Sequence, residues 1–247
     1  MKVRPLILAF AIVAGHAPAQ DATAADPGQE IQAIITKHEK TMKDFMDKVR
    51  ALPREKQRDF YQSDYPKPDE TLAALHVIVD ANPKDPAILD GLNMIARTTR
   101  GSGLQAKDFE VLTKHHLNHD KVGELALSLA YAQSPEAQSF LTTVGEKSES
   151  KDARGTALYA RAIGMERDKS KAAEYDAITQ KIITDHADLE IRGRKIATAL
   201  KAKKEATVKF AIGKEAPEII GKDVDGKEMK LSDYKGKIVV LDFWGDW

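Results

Sequence analysis

The sequence predicts a mainly α-helical domain followed by the first part of an α/β domain. Within residues 31–49, apolar side chains recur at offsets of three, four and seven, which is the spacing of one helix face. Farther along, polar residues that can cap a helix stand directly before prolines, a pair typical of helix starts. From Val208 onward, short apolar segments separated by turn residues replace this pattern. The change predicts a domain boundary close to residue 207.

The length and charge are those of an ordinary two-domain protein. The 247 residues exceed the usual size of one domain, and 38 basic and 38 acidic residues balance to a formal net charge of zero. Balanced charge gives no electrostatic case for nucleic-acid binding. We divide the chain into a signal peptide, a linker, an α-helical domain and the incomplete N-terminal part of a second domain, at residues 1–19, 20–28, 29–206 and 207–247.

The first 19 residues have the three parts of a secretory signal. Lys2 and Arg4 form the charged region, residues 6–14 form the apolar region, and Ala17-Pro-Ala19 is a small-x-small cleavage site. The apolar region is about half as long as the ~20 residues that a spanning helix needs. We therefore expect cleavage and export, and no transmembrane anchor.

The helical domain is expected to contain several short helices after the first one. A loop rich in proline and charge is predicted at residues 53–69, and helices are predicted to begin near Pro86 and Pro135. Further helical segments are predicted at residues 106–117, 122–131, 153–163, 172–184 and 189–200. The helix pairs recur about every 30 to 35 residues, as in α-solenoids, but the tetratricopeptide side-chain signature is missing. Helical repeat and irregular bundle stay open, and either would be a scaffold or docking domain.

A histidine cluster in this domain resembles half of a zinc site. His115 and His119 would lie one helical turn apart, a spacing at which two imidazoles can share a metal ion. However, no acidic residue follows His115 as in a zinc-protease helix, and Lys114 and Lys121 flank the cluster with positive charge. We interpret it as a solvated helix face with one histidine packed inward, and we predict neither a metal site nor a cofactor.

The C-terminal segment contains a hairpin, a helical turn and a strand. Asp225-Gly226 between residues 218–224 and 227–231 is a strong hairpin signal, and the spacing of acids around it does not fit a calcium loop. A short helical turn should follow, with Ser232 as its cap and Gly236 as its terminator. The near-continuous apolar run at 238–243 predicts a central strand buried on both faces.

The order of these motifs resembles a known family. The turn Leu-Ser-Asp-Tyr-x-Gly-Lys, at residues 231–237, precedes a strand that ends Asp-Phe-Trp-x-x-Trp at Trp247. This combination resembles the start of a thioredoxin-like redoxin domain, which bacterial thiol-disulfide reductases share with the alkyl hydroperoxide reductase/thiol-specific antioxidant family. Together with the predicted signal peptide, the resemblance implies an exported protein of the bacterial periplasm or cell envelope that acts in redox homeostasis.

The resemblance also implies roles for three residues. Asp242 matches the aspartate buried beneath the active-site disulfide, where burial disfavours the charged carboxylate and suits it to exchange a proton with the second, resolving cysteine. Trp247 matches the tryptophan that precedes the first cysteine and covers the disulfide. Trp244 matches the aromatic residue packed under the active-site loop, a binding role.

The catalytic sulfurs of such a site are not in this sequence. A Cys-x-x-Cys would begin the next helix, where the helix dipole lowers the first thiol's pKa, but the chain contains no cysteine. We therefore expect a fragment that is inactive as it stands. By resemblance, the whole protein would act on a disulfide-containing protein substrate and draw on an upstream electron donor.

Two alternatives stay open beside the reductase. A peroxiredoxin-type thiol peroxidase would place proline soon after the strand and then Thr-x-x-Cys. The residues Gly245-Asp246-Trp247 depart from that pattern and favour the reductase. The other alternative is a non-catalytic helical module that binds a protein partner.

Overall fold

The structure is a computed structural model that describes residues 26–242 and residue 244. The predicted signal peptide, most of the predicted linker, Phe243 and Trp247 lie outside the described residues. The described helices are α1 Pro27–Ala51, α2 Arg54–Asp64, α3 Asp69–Ala81, α4 Ile88–Thr99, α5 Ala106–His115, α6 Val122–Ser128, α7 Pro135–Lys147, α8 Lys151–Met165, α9 Ala172–Asp185 and α10 Ile196–Lys209. The strands are β1 Glu190–Ile191, β2 Arg194–Lys195, β3 Ile220–Lys222 and β4 Glu228–Lys230.

This order of elements confirms the predicted fold class. Helices dominate the N-terminal part, and the last strands lie near the C-terminus. The strands form two separate antiparallel hairpins, β1 with β2 and β3 with β4. Contacts between Cα atoms divide the chain into two compact units, with the division between Met94 and Ile95 inside α4.

The first unit is built around α1 and α3. Helix α1 begins at Pro27, inside the predicted linker, because Asp26 caps it by accepting a hydrogen bond from the Gly28 backbone N–H at 2.8 Å. Its apolar stripe buries Ile31, which lies beside Gly91 of α4 and thereby helps to close the core. The side chains of α3 that complete this core are Leu75, Ile78 and Val79.

Helix α2 lies where the sequence predicted a loop, so that prediction was wrong. The prolines lie outside the helix, with Pro53 directly before Arg54, and its first five residues, 54–58, are good helix formers. The helix is held by aromatic packing on α1: the Phe60 ring stacks on Phe45 with ring centres 5.6 Å apart. Helix α2 is thus stabilised by a tertiary contact that the local sequence pattern does not predict.

The second unit is arranged around α8. This helix packs against α6, α7 and α9, while α10 packs against α9 and α5 against α7. Small residues allow close approach, since a Cβ added to Gly123 of α6 would lie 3.3 Å from the Ala153 Cα of α8. The core between α8, α9 and α10 consists of Leu158, Ala162, Met165, Ile178, Ile182, Leu189, Ile196 and Leu200.

Two of the predicted helix starts can be compared with the structure. Ser134 caps α7 as predicted, and its hydroxyl accepts a hydrogen bond from the Ala137 N–H at 3.2 Å. Asp85 also accepts from a backbone N–H, that of Ala87 at 2.8 Å. Helix α4 nevertheless starts only at Ile88, two residues after Pro86.

The prediction of a helix at residues 189–200 was wrong for the first half of that range. Strands β1 and β2 occupy that stretch, joined by Arg192 and Gly193, which both have positive φ angles, 52° and 76°. Two residues of positive φ form the tight turn that fits the twist of a hairpin. Helix α10 then begins at Ile196 and runs to Lys209, past the proposed boundary at 206/207.

Candidate functional site

The candidate site lies in the C-terminal segment, whose first feature is the hairpin of β3 and β4. The strands pair Ile220 with Lys230 and Lys222 with Glu228. The carboxylate of Asp223 accepts hydrogen bonds from the backbone N–H groups of Asp225 at 3.0 Å and Lys227 at 2.9 Å. Gly226 adopts a φ of 79°, which favours glycine. This geometry confirms the predicted hairpin and uses Asp223 as a turn former.

Glu218 holds the hairpin to the helical turn that follows it. One of its carboxylate oxygens accepts hydrogen bonds from the backbone N–H groups of Ser232 at 3.0 Å and Ile219 at 3.2 Å. Hydrogen bonding by Ser232 is the main cause that lowers the pKa of Glu218, with a smaller contribution from Ile219. Sequence reasoning missed this residue because the contact joins positions 14 residues apart.

The helical turn is a 3₁₀ helix at Leu231–Tyr234. Lys230 occupies its N-cap position, and Asp233 reaches back to accept a hydrogen bond from the Lys230 N–H at 3.0 Å. The prediction that Ser232 caps the turn was therefore wrong: its backbone N–H is bound to Glu218 instead. Gly236 follows the turn with a φ of 81°, as expected of a terminator.

The predicted buried strand does not form in the described residues 238–242, which are all exposed. Ile238 is 98% exposed and Val240 is 87% exposed. A strand buried on both faces requires neighbouring strands and covering helices, and the described residues provide none of these around it. The run is apolar, as a central strand would be. Its burial, however, would depend on neighbouring strands and helices, which the sequence of the run alone does not determine.

The structure does not bring the three predicted site residues together. Asp242 is exposed, so the buried surroundings expected for it are absent among the described residues. Trp244 is 83% exposed, and Trp247 lies outside the described residues. What the structure does provide is the platform before them: the hairpin, the 3₁₀ turn and the Glu218 carboxylate that joins them.

The histidine cluster of the helical part is not arranged as a metal site. Helix α5 ends at His115, so His115 and His119 do not share a helix face. His116 is buried, which confirms that one histidine packs inward. The Nδ1 atom of His119 accepts a hydrogen bond from the Lys121 N–H at 3.1 Å. Across residues 26–242 and 244, no group of three or more candidate ligands is placed to hold a metal ion.

No helix within residues 26–242 is both long and apolar enough to span a bilayer.

Comparison with known proteins finds matches to the C-terminal segment. Residues 212–247 match the sequence model of the AhpC/TSA family. A stretch of 39 residues is 54% identical to the thiol-disulfide oxidoreductase ResA of Bacillus anthracis, and it makes up 16% of this chain and 22% of that protein. The similarity confirms that this segment resembles the thioredoxin-like redoxin family.

Other relatives are matched over similarly short stretches. The thiol-disulfide oxidoreductase ResA of Bacillus subtilis strain 168 is 44% identical over 55 residues, which cover 22% of this chain and 29% of the relative. The protein of the same name from Geobacillus thermodenitrificans is 49% identical over 37 residues, covering 15% and 21%. The chain thus spans less than a third of these curated relatives. No solved structure matches the chain.

Proposed function

We propose that this chain is the N-terminal portion of an exported thioredoxin-like thiol-disulfide oxidoreductase of the bacterial periplasm or cell envelope. The observation that carries the proposal is the 54% identity of 39 C-terminal residues to a thiol-disulfide oxidoreductase. Thiol-disulfide exchange requires sulfur, and the 247 residues contain no cysteine. The proposal therefore places the reactive Cys-x-x-Cys beyond Trp247 in the whole protein.

In the proposed reaction, the first cysteine attacks as a thiolate. It would displace one sulfur of a substrate disulfide and form a mixed disulfide, and the second cysteine, losing its proton to Asp242, would attack that bond. The substrate leaves as a dithiol, and the enzyme holds an internal disulfide that an upstream electron donor reduces. Trp247 would cover the disulfide, and Trp244 would pack under the active-site loop.

The described residues support the proposal through the platform that they build. We call the hydrogen bond from the Ser232 backbone N–H to the Glu218 carboxylate the Glu218 latch. Together with the 3₁₀ turn at Leu231–Tyr234, this latch fixes where the chain enters the run at 238–242. In a complete domain that entry would direct the run into the central sheet, with Asp242 near its end. The boundary between the helical and redoxin parts is proposed at 206/207, although α10 continues to Lys209.

The test is to determine the codons that follow Trp247 and to express the continuing protein. Codons for Cys, two residues and Cys, together with reduction of insulin disulfides, would support the reductase. Replacing either cysteine with serine should abolish the reduction, whereas Asp242→Asn should slow resolution and leave the first attack intact. A stop codon directly after Trp247 would refute the enzyme function for this chain.

A peroxiredoxin-type peroxidase is the second candidate, because the matching family model includes the thiol-specific antioxidant proteins by description. It predicts Thr-x-x-Cys in place of Cys-x-x-Cys and consumption of hydroperoxide in place of insulin disulfide. The same expressed protein separates the two, because only one of these substrates should be turned over rapidly.

The helical part supports a candidate of another class, a non-catalytic module that binds a protein partner. The buried hydrophobic side chains among the described residues all lie in the helical part, and the last of them along the chain is Leu200. A helical segment that recruits a partner should retain that partner when residues 207–247 are deleted. Loss of binding with this deletion would place the partner's surface in the redoxin segment instead.

A further inference from the structure

Three consecutive elements of the second unit, β1, β2 and α10, concentrate positive charge in a chain that is neutral as a whole. Residues 190–209, comprising β1, β2 and α10, carry a formal charge of +5. The two acids of this stretch are Glu190 and Glu205. Its cations are Arg192, Arg194, Lys195, Lys201, Lys203, Lys204 and Lys209, and all seven are exposed. We call these seven residues the basic surface.

Packing explains why the charges face outward. Helix α10 buries Ile196, Ala197 and Leu200 against the core, so its remaining positions face water. The hairpin and the helix share one surface, since Arg194 and Lys203 line the same groove of about 450 Å³. Of the seven cations, Arg194 and Lys203 line this groove together with Glu166. Cations within about a Debye length of one another, ~10 Å, add their potentials.

Most of this charge is not neutralised within the protein. Lys203 forms an ion pair with Glu166 and donates to the Tyr175 hydroxyl at 3.0 Å, and Lys204 donates to Gln180 at 3.3 Å. Among residues 26–242 and 244, the other five cations of the basic surface make no ion pair. Unpaired cations on a folded surface leave a field that an anionic partner can neutralise.

Large apolar side chains extend this surface at the end of α10. Val208 is 62% exposed, Phe210 is 63% exposed and Ile212 is fully exposed. The Lys209 ammonium lies 5.7 Å from the centre of the Phe210 ring. Cations beside exposed apolar and aromatic side chains are the combination that binds the interface of an anionic bilayer, where charge meets headgroups and apolar groups enter the acyl boundary.

We propose that the basic surface and residues 208–212 dock the protein on anionic lipid headgroups as a peripheral contact. The exposed apolar side chains favour a membrane over an acidic protein, because an acidic polypeptide would neutralise the cations and leave Phe210 and Ile212 in water. The proposal does not depend on the redox function, and it requires no spanning helix.

The test is sedimentation of the 247-residue chain with vesicles of phosphatidylcholine alone and with vesicles that also contain phosphatidylglycerol. The chain should bind the anionic vesicles selectively and dissociate at high ionic strength. The triple variant Lys195→Gln, Lys201→Gln, Lys209→Gln should bind them about tenfold more weakly or worse, because each cation near an anionic surface contributes to binding. Phe210→Ser should weaken binding to the anionic vesicles at low ionic strength, because it removes an apolar side chain that enters the acyl boundary.

A control variant with the same loss of charge elsewhere distinguishes the effect of the basic surface from the effect of net charge. Lys37→Gln, Lys48→Gln, Arg58→Gln removes three exposed cations from the first unit and should leave vesicle binding within about twofold. Circular dichroism and urea midpoints establish that both variants fold. Equal weakening by the two triple variants would overturn the proposal, as would equal binding to both kinds of vesicle through the apolar run at 238–242. Binding of poly-glutamate without vesicle binding would overturn it in favour of an acidic protein partner.

Discussion

At the scale of single residues, Gly164 of α8 lies close to the backbone of Ala130, which follows α6. A Cβ at this position would lie 2.7 Å from the Ala130 carbonyl oxygen, a backbone atom that cannot rotate away. We expect Gly164→Ala to lower the free energy of unfolding by about 1 to 3 kcal/mol, because overpacking forces a backbone shift. Urea unfolding followed by circular dichroism measures the change.

Gly145 of α7 supplies the control, because a Cβ there would meet Leu158 at an ordinary 3.6 Å. Gly145→Ala should be neutral or stabilise the protein by up to about 1 kcal/mol, since alanine is the better helix former. If both alanine variants shifted the urea midpoint in the same direction, the close approach at Gly164 would not be a constraint.

The buried imidazole of His186, which lies against Gly155, should make the stability of the protein depend on pH. Burial, together with the positive charges of Arg154 and Lys151, lowers its pKa below 6.5, and Asp185 opposes the shift only in part. The unfolded chain therefore binds a proton at this histidine before the folded chain does. Stability should be fully present above about pH 6.5 and should fall as the pH drops below it.

Thermal unfolding at pH 7.5 and pH 5.5 tests this sign. The wild-type melting temperature should fall between the two values, and His186→Gln should show a smaller fall, whatever its stability at pH 7.5. Asp188 lies nearby and is paired with Lys151, but its pKa is lowered and so it titrates well below this window. A variant with an unchanged pH dependence would exclude His186 as the titrating group.

At the scale of elements, Glu218 joins the β3–β4 hairpin to the 3₁₀ turn. Glu218→Ala removes the acceptor of the Ser232 N–H, so we expect faster hydrogen exchange of the Ser232 amide. Because hydrogen bonding lowers the pKa of Glu218 below 4.5, the latch should persist at neutral pH and be lost as the pH falls through that lowered pKa. Glu215→Ala, which removes only a long ion pair with Lys235, should leave the Ser232 amide unchanged.

The sequence predicted well those elements whose stabilising contacts lie within a few residues of one another. The cap at Ser134 and the turn at Gly226 act within a few residues, so their patterns carry the whole cause. Helix α2 was missed because its stability comes from Phe60 on Phe45, a contact between two helices. The hairpin at Arg192-Gly193 was missed because a positive φ at arginine is uncommon and has no sequence signature.

At the scale of the whole molecule, the candidate site depended on burial, and burial cannot be read from the residues alone. The run at 238–242 has the composition of a central strand, yet its residues are exposed where no sheet surrounds them. The same reason leaves Asp242 in water. The family resemblance could be recognised from the sequence because it rests on the order of motifs. The proton transfer proposed for Asp242 requires a buried carboxylate, and burial depends on a complete domain.

Because Trp244 is exposed in this chain and would be buried in a complete redoxin domain, tryptophan fluorescence tests the proposal that the whole protein contains such a domain. The chain contains two tryptophans, and Trp247→Phe leaves Trp244, which is 83% exposed, as the reporter. In residues 1–247 its fluorescence should be that of an indole in water and should be quenched readily by acrylamide. If the continuing protein completes a redoxin sheet around the run at 238–242, the emission should shift to the blue and quenching should fall. Unchanged emission in the longer protein, with its helical part folded by circular dichroism, would mean that the added residues do not cover Trp244, and the proposed packing of Trp244 under an active-site loop would be wrong.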